Sequence, residues 1–321
     1  MRGAVLAVGT ELLLGDVINS NAAWLGQQLA GCGIDVVASA AVGDDVPRLV
    51  AAIEQQLRDV DVLVLSGGLG PTVDDLTRDA VALACAAPLE RQPALEDQLR
   101  AKFAAYRMPL PDAVLRQADV PRGAEVLDNP AGTAPGLWLQ YGDKVVVALP
   151  GPPHELRAAA GTVWPRLAAR SGRVVTTRQV LVAGLGEPTV AGRVESVVRL
   201  PEGVALSYLA GGATVRVRFT TSGDPAVLEP LVAAVDEVLG DHVWGHDDDT
   251  LDGVVHGLLA AAGQTVAVAE SLTGGLLGAA LSQRSGSSVT FRGGVVVYAT
   301  DLKGTLAGVP GPLLAAEGAV S

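Results

Sequence analysis

Apolar and polar residues recur at two different periods along this chain, and the switches between them mark its elements. Gly3–Val8, Val62–Leu65 and Val145–Leu149 are short and almost wholly apolar, as strands buried on both faces of a parallel sheet are. Asp35–Val42 predicts a further strand. Between these runs the apolar positions fall at helical spacing: Ala22, Leu25 and Leu29; then Leu49, Val50, Ile53 and Leu57; then Leu76, Ala80, Leu83 and Ala84. The last stripe predicts a helix beginning near Asp75. Pro93 opens another, carrying Leu95, Leu99 and Phe103. Strands alternating with amphipathic helices predict an α/β domain with a parallel, doubly wound sheet.

The pattern changes near Arg170-Ser-Gly-Arg173. Val174–Val182, Ala205–Leu209 and Thr214–Thr220 read as strands, the last alternating through Val215, Val217 and Phe219. Helical stretches accompany them around 190–198 and 225–239, so a small α+β unit is expected, ending at Trp244-Gly245. Asp247-Asp-Asp249 reads as a solvated linker and helix start. An apolar helix over 251–262, a strand over 265–269, a second helix and a strand over 293–297 then make a partial α/β piece. The expected domains are 1–170, 171–246 and 247–321.

Composition narrows the function classes. At 321 residues the chain is long enough for two or three domains, and 49% apolar residues suffice for sizeable cores. With 23 basic against 35 acidic residues the formal net charge is −12, which argues against nucleic acid or an anionic membrane as a partner. Cys32 and Cys85 are the only cysteines and have no metal-ligand spacing. No leader precedes the first strand, and no apolar run approaches the ~20 residues that span a bilayer. A soluble cytoplasmic protein is expected.

The densest chemistry lies in Leu65-Ser-Gly-Gly-Leu-Gly-Pro-Thr-Val-Asp-Asp-Leu-Thr-Arg-Asp79. Gly67, Gly68 and Gly70 fall between a strand and a helix, where missing Cβ atoms let backbone N–H groups approach a ligand. A helix N-terminus adds orphan donors and positive potential, a seat for phosphate. Asp74, Asp75 and Asp79 would repel a bare phosphate, and a divalent cation between them resolves the conflict. The plainer alternatives are a simple turn and a capping box of Thr72 with Asp75. Glu11 and Asp44 also follow strands, and ligands of doubly wound sheets sit at the carboxyl ends of strands. All three segments are therefore expected to converge on one crevice. Pro150-Gly-Pro-Pro-His-Glu155 is either a rigid corner or a ligand contact, with His154 as a possible base. Near the other end, Glu270-Ser-Leu-Thr-Gly-Gly275 follows a strand and precedes a helix: a cap, or an anion or oxyanion seat with Ser271 as nucleophile. No histidine follows Ser271, so Lys303 and Tyr298 are the local candidates to activate it.

Six motifs together resemble the CinA family of competence/damage-inducible proteins: Gly9-Thr-Glu-Leu-Leu-Leu-Gly15, Asn19-Ser-Asn21, Val42-Gly-Asp-Asp45, Gly67 to Thr77, Leu149-Pro-Gly151 and Ala269 to Gly275. The resemblance implies a molybdopterin-binding-like first domain, a KH-like middle domain and a nicotinamide-nucleotide amidohydrolase domain at the end. It implies metal-dependent hydrolysis of a nucleotide of the ADP-ribose type in the first domain. Asp44, Asp75 and Asp79 would hold Mg²⁺, Mn²⁺ or Co²⁺. The glycine loop, Thr72, Thr77, Asn21 and Gly151 would bind substrate, and Glu11 would act as a base or ribose-hydroxyl acceptor. In the last domain Ser271 and Lys303 would be catalytic, with Thr273, Gly274, Gly275 and Tyr298 around the substrate. A non-catalytic pterin or nucleotide module and a DNA-uptake or repair interaction protein are the rival classes, and a homodimer is the expected assembly. Two departures from the family pattern stand out. Leu272 replaces a cysteine of the motif, and the last domain is about half the family length, so weak or absent amidase activity, and either poor order or an exposed apolar face, are expected. Residues 174–245 hold five arginines, no lysine and eight carboxylates, with no Gly-x-x-Gly, so the KH-like unit is not expected to bind nucleic acid.

Overall fold

The computed structural model describes residues 1–320, which divide into two compact units, Met1–Thr176 and Thr177 onward. The strands of the first unit are β1 (Arg2–Val8), β2 (Asp35–Val42), β3 (Val62–Ser66), β4 (Leu89–Arg91), β5 (Asp119–Pro121), β6 (Ala124–Leu127), β7 (Gly136–Tyr141) and β8 (Lys144–Leu149). Six of them form one sheet in the order β2-β1-β3-β8-β7-β6. The four strands β2, β1, β3 and β8 are parallel, as their apolar runs predict. Two antiparallel strands, β7 and β6, extend that parallel core. Sequence periodicity passed over this hairpin because 128–136 is so rich in turn residues. The tight turn that follows, from β7 into β8, pairs Tyr141 with Lys144, and Gly142 takes the left-handed conformation (φ 60°) such turns require.

Period two sorts the strand side chains onto two cores. Leu6, Leu63 and Leu65 pack with Leu49, Ile53, Val81 and Leu99 on one face. Val5, Val62, Val64 and Val147 pack with Leu25, Leu29, Leu156 and Leu167 on the other. All five residues of β3 are buried, so every backbone polar group there must pair within the sheet. Burial of each large aliphatic side chain contributes roughly 1.5–3 kcal/mol, which is why short β-branched and leucine runs suffice. The carboxyl ends of β1, β2, β3 and β8 consequently open at the same sheet edge.

The second unit holds a four-stranded sheet in the order β10-β11-β9-β12, from β9 (Thr176–Ala183), β10 (Val204–Gly211), β11 (Thr214–Thr221) and β12 (Val243–His246). The helices Glu187–Val197 and Glu229–Leu239 pack Val190, Val194, Leu231 and Val235 around Phe219. Asp248 and Asp249 are exposed and lead into a helix, as a solvated linker and helix start would, but the segment is also anchored. Asp247 accepts from the Gln179 N–H at 2.8 Å and from Arg178 at 2.8 Å, and Asp249 accepts from the His246 N–H at 2.9 Å. These bonds tie the segment to β9 and β12 before the helix Leu251–Ala261 starts under a Thr250 cap. Beyond it β13 (Val266–Glu270) pairs in parallel with β14 (Phe291–Val296). Leu258, Leu276, Val289 and Tyr298 are each at least 67% exposed there, so this piece presents large apolar side chains to solvent.

Candidate functional site

At the carboxyl ends of β1, β2, β3 and β8 lies a crevice of about 500 Å³, within the range of small-molecule sites. Glu11, Asp44, the glycine loop and the Pro150–Pro153 loop all line it, so the segments expected to converge do so. Its floor requires glycine. A Cβ on Gly67 (φ 106°) would stand 2.2 Å from the Val8 carbonyl, and one on Gly68 (φ 65°) would stand 2.4 Å from the Thr77 hydroxyl. Asn21 ties the floor together by donating to the Ser66 hydroxyl at 2.9 Å and the Gly151 carbonyl at 2.7 Å.

The loop is held from within. Asp75 accepts from the N–H of Gly70 at 2.7 Å, the N–H of Thr72 at 2.8 Å and the Thr72 hydroxyl at 2.5 Å. The helix therefore begins at Thr77, two residues later than its apolar stripe predicts, with Leu76 as a cap that makes no side-chain bond. Thr72 also bonds to Asp74, which holds the Asp74 carboxyl below the usual carboxylate range. Thr77, wholly buried, donates to the Gly67 carbonyl at 2.7 Å. Thr72 and Thr77 are thus supports of the loop rather than parts of the crevice wall. The Gly67 N–H is taken by the Leu149 carbonyl. Pro71 has no N–H, and among the described residues Gly68 and Leu69 in the glycine loop, with Val73 and Leu76 after it, have N–H groups with no acceptor.

Beneath the loop lies Arg78, 3% exposed, its guanidinium forked onto the carbonyls of Leu69 and Gly70. Burial pushes its pKa down, and the carboxylates of Asp75 and Asp79 work against that shift. The motif reading passed over Arg78, whose place in a helical stripe gives no hint of burial. Sequence missed Gln117, and it singled out neither Leu69 nor Glu155 within the segments it did mark; all three line the crevice. Glu155 accepts from the Asn129 amide at 2.7 Å, whereas the neighbouring His154 is exposed and lies outside the wall.

The carboxylates differ in how far they are committed. Asp44 uses one oxygen to accept from the Thr10 N–H and hydroxyl, both at 2.8 Å. Asp75 is occupied with the loop. Asp79 does not line the crevice, and its carboxylate stands 3.7 Å from Arg116. The expected trio of Asp44, Asp75 and Asp79 therefore does not assemble around one point, and no group of three metal-ligating side chains occurs among the described residues. This donor set suits an ion of the Mg²⁺ type, held by one or two carboxylates together with substrate phosphate and water. Asp44, with one oxygen uncommitted, and the exposed Asp74 and Glu11 are the groups that could hold it.

In the second unit Lys303 is 7% exposed and donates to the Ser271 hydroxyl at 2.6 Å and to the Val297 carbonyl at 3.1 Å. The expected anion seat beside it is already filled by the buried carboxylate of Glu270. Glu270 accepts from the Thr273 hydroxyl at 2.7 Å and from the N–H groups of Gly275, Leu277 and Gly278 at 3.1, 2.9 and 2.8 Å. The Gly274 N–H bonds to the Ser271 carbonyl at 3.1 Å. Thr273, Gly274 and Gly275 thus spend their donors inside the protein, because a strand-end carboxylate reaches the helix start before any ligand can. The Thr273 bond, with the three amide bonds, holds the Glu270 carboxyl below its usual range. Tyr298 is 70% exposed and makes no hydrogen bond to Ser271 or Lys303 among the described residues.

Comparison with known proteins shows two family matches: "probable molybdopterin binding domain" over residues 4–169 and "CinA C-terminal domain" over residues 248–321. The chain is 45% identical to a CinA-like protein of Frankia casuarinae, across 100% of this chain and 78% of that one. It is 42% identical to a CinA-like protein of Parasynechococcus marenigrum, across 99% and 78%. Among solved structures, the CinA protein of unknown function from Thermoplasma acidophilum is 33% identical and covers 52% of this chain and 99% of its own, with a TM-score of 0.49.

Proposed function

Since the chain belongs to the CinA family, we propose that its first unit is a hydrolase cleaving a nucleoside-diphosphate sugar of the ADP-ribose type into AMP and ribose 5-phosphate. The observation that carries this is the meeting, in one crevice, of a glycine loop with free N–H donors and carboxylates that differ in their commitments. The Gly68 and Leu69 N–H groups would hold diphosphate oxygens, with the Arg78 charge directly behind them. Glu11 is the wall carboxylate for which no hydrogen bond occurs among the described residues, and its oxygens lie where a Cβ of Gly9 would stand, at 2.4 Å. It is therefore the base: the water oxygen bonds to phosphorus, its proton passes to Glu11, and the bridging P–O bond breaks with the electron pair leaving on the departing phosphate. Asp44 and Asp74 are the groups that would hold a divalent ion arriving with the substrate, and such an ion would neutralise charge at the diphosphate. Asp75 and Asn21 are positioning residues. The test is AMP release from ADP-ribose with Mg²⁺, Mn²⁺ or Co²⁺. Tight binding without AMP under all three would make the crevice a binding module instead.

The contact of Lys303 with Ser271 favours a second reading, amide hydrolysis of nicotinamide mononucleotide in the second unit. A serine needs fixed oxyanion donors as well as a base, and the donors beside Ser271 are held by Glu270. Weak or no ammonia release is expected. Release at an ordinary enzymatic rate, abolished in Ser271→Ala, would contradict this.

A further inference from the structure

Gln117 is the one crevice-lining side chain whose polar atoms are both buried and unpartnered. It lies near the end of the 3-10 helix Asp112–Ala118, is 1% exposed, and neither its amide nitrogen nor its amide oxygen has a hydrogen-bond partner among the described residues. Folded proteins satisfy the great majority of such atoms, and an unmade bond costs more than a made one gains. A buried amide kept at the wall of a ligand crevice with both groups unpaired is therefore a recognition element awaiting its partner. Its neighbour Arg116 reaches the Thr72 carbonyl at 3.5 Å and the Asp79 carboxylate at 3.7 Å, so this wall stands against the glycine loop. Gln117 and the glycine loop line the same crevice, so a ligand seated on the loop shares that crevice with Gln117.

We propose that Gln117 is the specificity-determining residue of the crevice and reads a heterocyclic base through paired hydrogen bonds, its N–H₂ to a ring nitrogen and its oxygen to an exocyclic amine. This rests on the reading of the crevice as a nucleoside-diphosphate site. A carboxamide presents one donor and one acceptor side by side, the complement of the adenine edge that carries an amine next to a ring nitrogen. No charge is involved, which suits a wall already surrounded by carboxylates. The substrate class is then an adenine nucleotide diphosphate, and a sugar phosphate without a base gains nothing from this wall.

The test uses the full chain and isothermal titration with ADP-ribose, AMP and ribose 5-phosphate, for wild type, Gln117→Met and Gln117→Leu. Thermal unfolding without ligand is read in parallel. The expected result is an ADP-ribose and AMP affinity about 10- to 100-fold weaker in both variants, with ribose 5-phosphate unchanged. The melting temperature without ligand should be equal to wild type or higher, because an apolar side chain removes two unpaired buried groups. Unchanged ADP-ribose affinity in either folded variant would overturn the role of Gln117 while leaving the nucleotide reading in place. Equal weakening of all three ligands with a lowered melting temperature would make Gln117 merely structural. Failure of the wild type to bind ADP-ribose or AMP would overturn the nucleotide reading and this inference with it.

Discussion

At the scale of single residues, the account turns on which polar groups are already committed. Arg78 is buried and spends its fork on two loop carbonyls. Arg78→Lys keeps the charge but cannot reach both carbonyls from one ammonium. It should cost about 1–3 kcal/mol of stability, read by denaturant unfolding, and lower AMP release through a looser loop. Glu270 makes a pH prediction. Its folded-state pKa is depressed below the ordinary 4.5 by the Thr273 hydroxyl and the helix amides. Its stabilisation is therefore fully present above about pH 4.5 and is lost as pH falls through the lower folded-state value. Acid titration of the wild type against Glu270→Gln should show the stability difference shrinking only below that point. A gap that instead narrows as pH rises above neutrality would count against this sign. The motifs made Gly67, Gly68 and Glu11 legible from sequence, because glycine and acid types after a strand carry their own geometry. Burial of Arg78 and Gln117 was not legible, since Arg78 sits among polar residues of a helical stripe, which does not show which of them the fold will cover, and Gln117 lies in a short 3-10 turn with no apolar period.

At the scale of elements, β1, β3 and β8 were readable because they are buried along nearly their whole length and their apolar runs are unbroken. The β6–β7 hairpin was not, because the turn-rich stretch 128–135 separates its strands and β6 has only four residues. The glycine loop shows how one element enforces its own shape: Gly67 combines a left-handed φ of 106° with a Cβ position 2.2 Å from the Val8 carbonyl. Gly67→Ala should therefore destabilise the first unit by about 1–3 kcal/mol or more and lower its melting temperature by several degrees. Full stability with Gly67→Ala would mean that the loop tolerates another conformation. The same logic explains the second unit. Glu270 at the end of β13 meets the start of the helix Leu276–Ser282, so an apparent anion seat is a filled one.

At the scale of the whole molecule, every residue lining the crevice lies between Val8 and Glu155, so the proposed reaction belongs to the first unit. No helix among the described residues is long and apolar enough to cross a membrane. The net negative charge does not argue against the proposed anionic substrate, because backbone amides and a buried guanidinium lie at the glycine loop and a substrate-borne cation would add to their positive field. The most direct measurement of this claim is phosphorus NMR of ADP-ribose with Mg²⁺, followed for wild type and Glu11→Gln. The account predicts that wild type replaces the diphosphate signals with two phosphomonoester signals, and that Glu11→Gln does so about 10²- to 10⁴-fold more slowly. Persistent diphosphate signals with wild type, or equal rates for the two proteins, would contradict it.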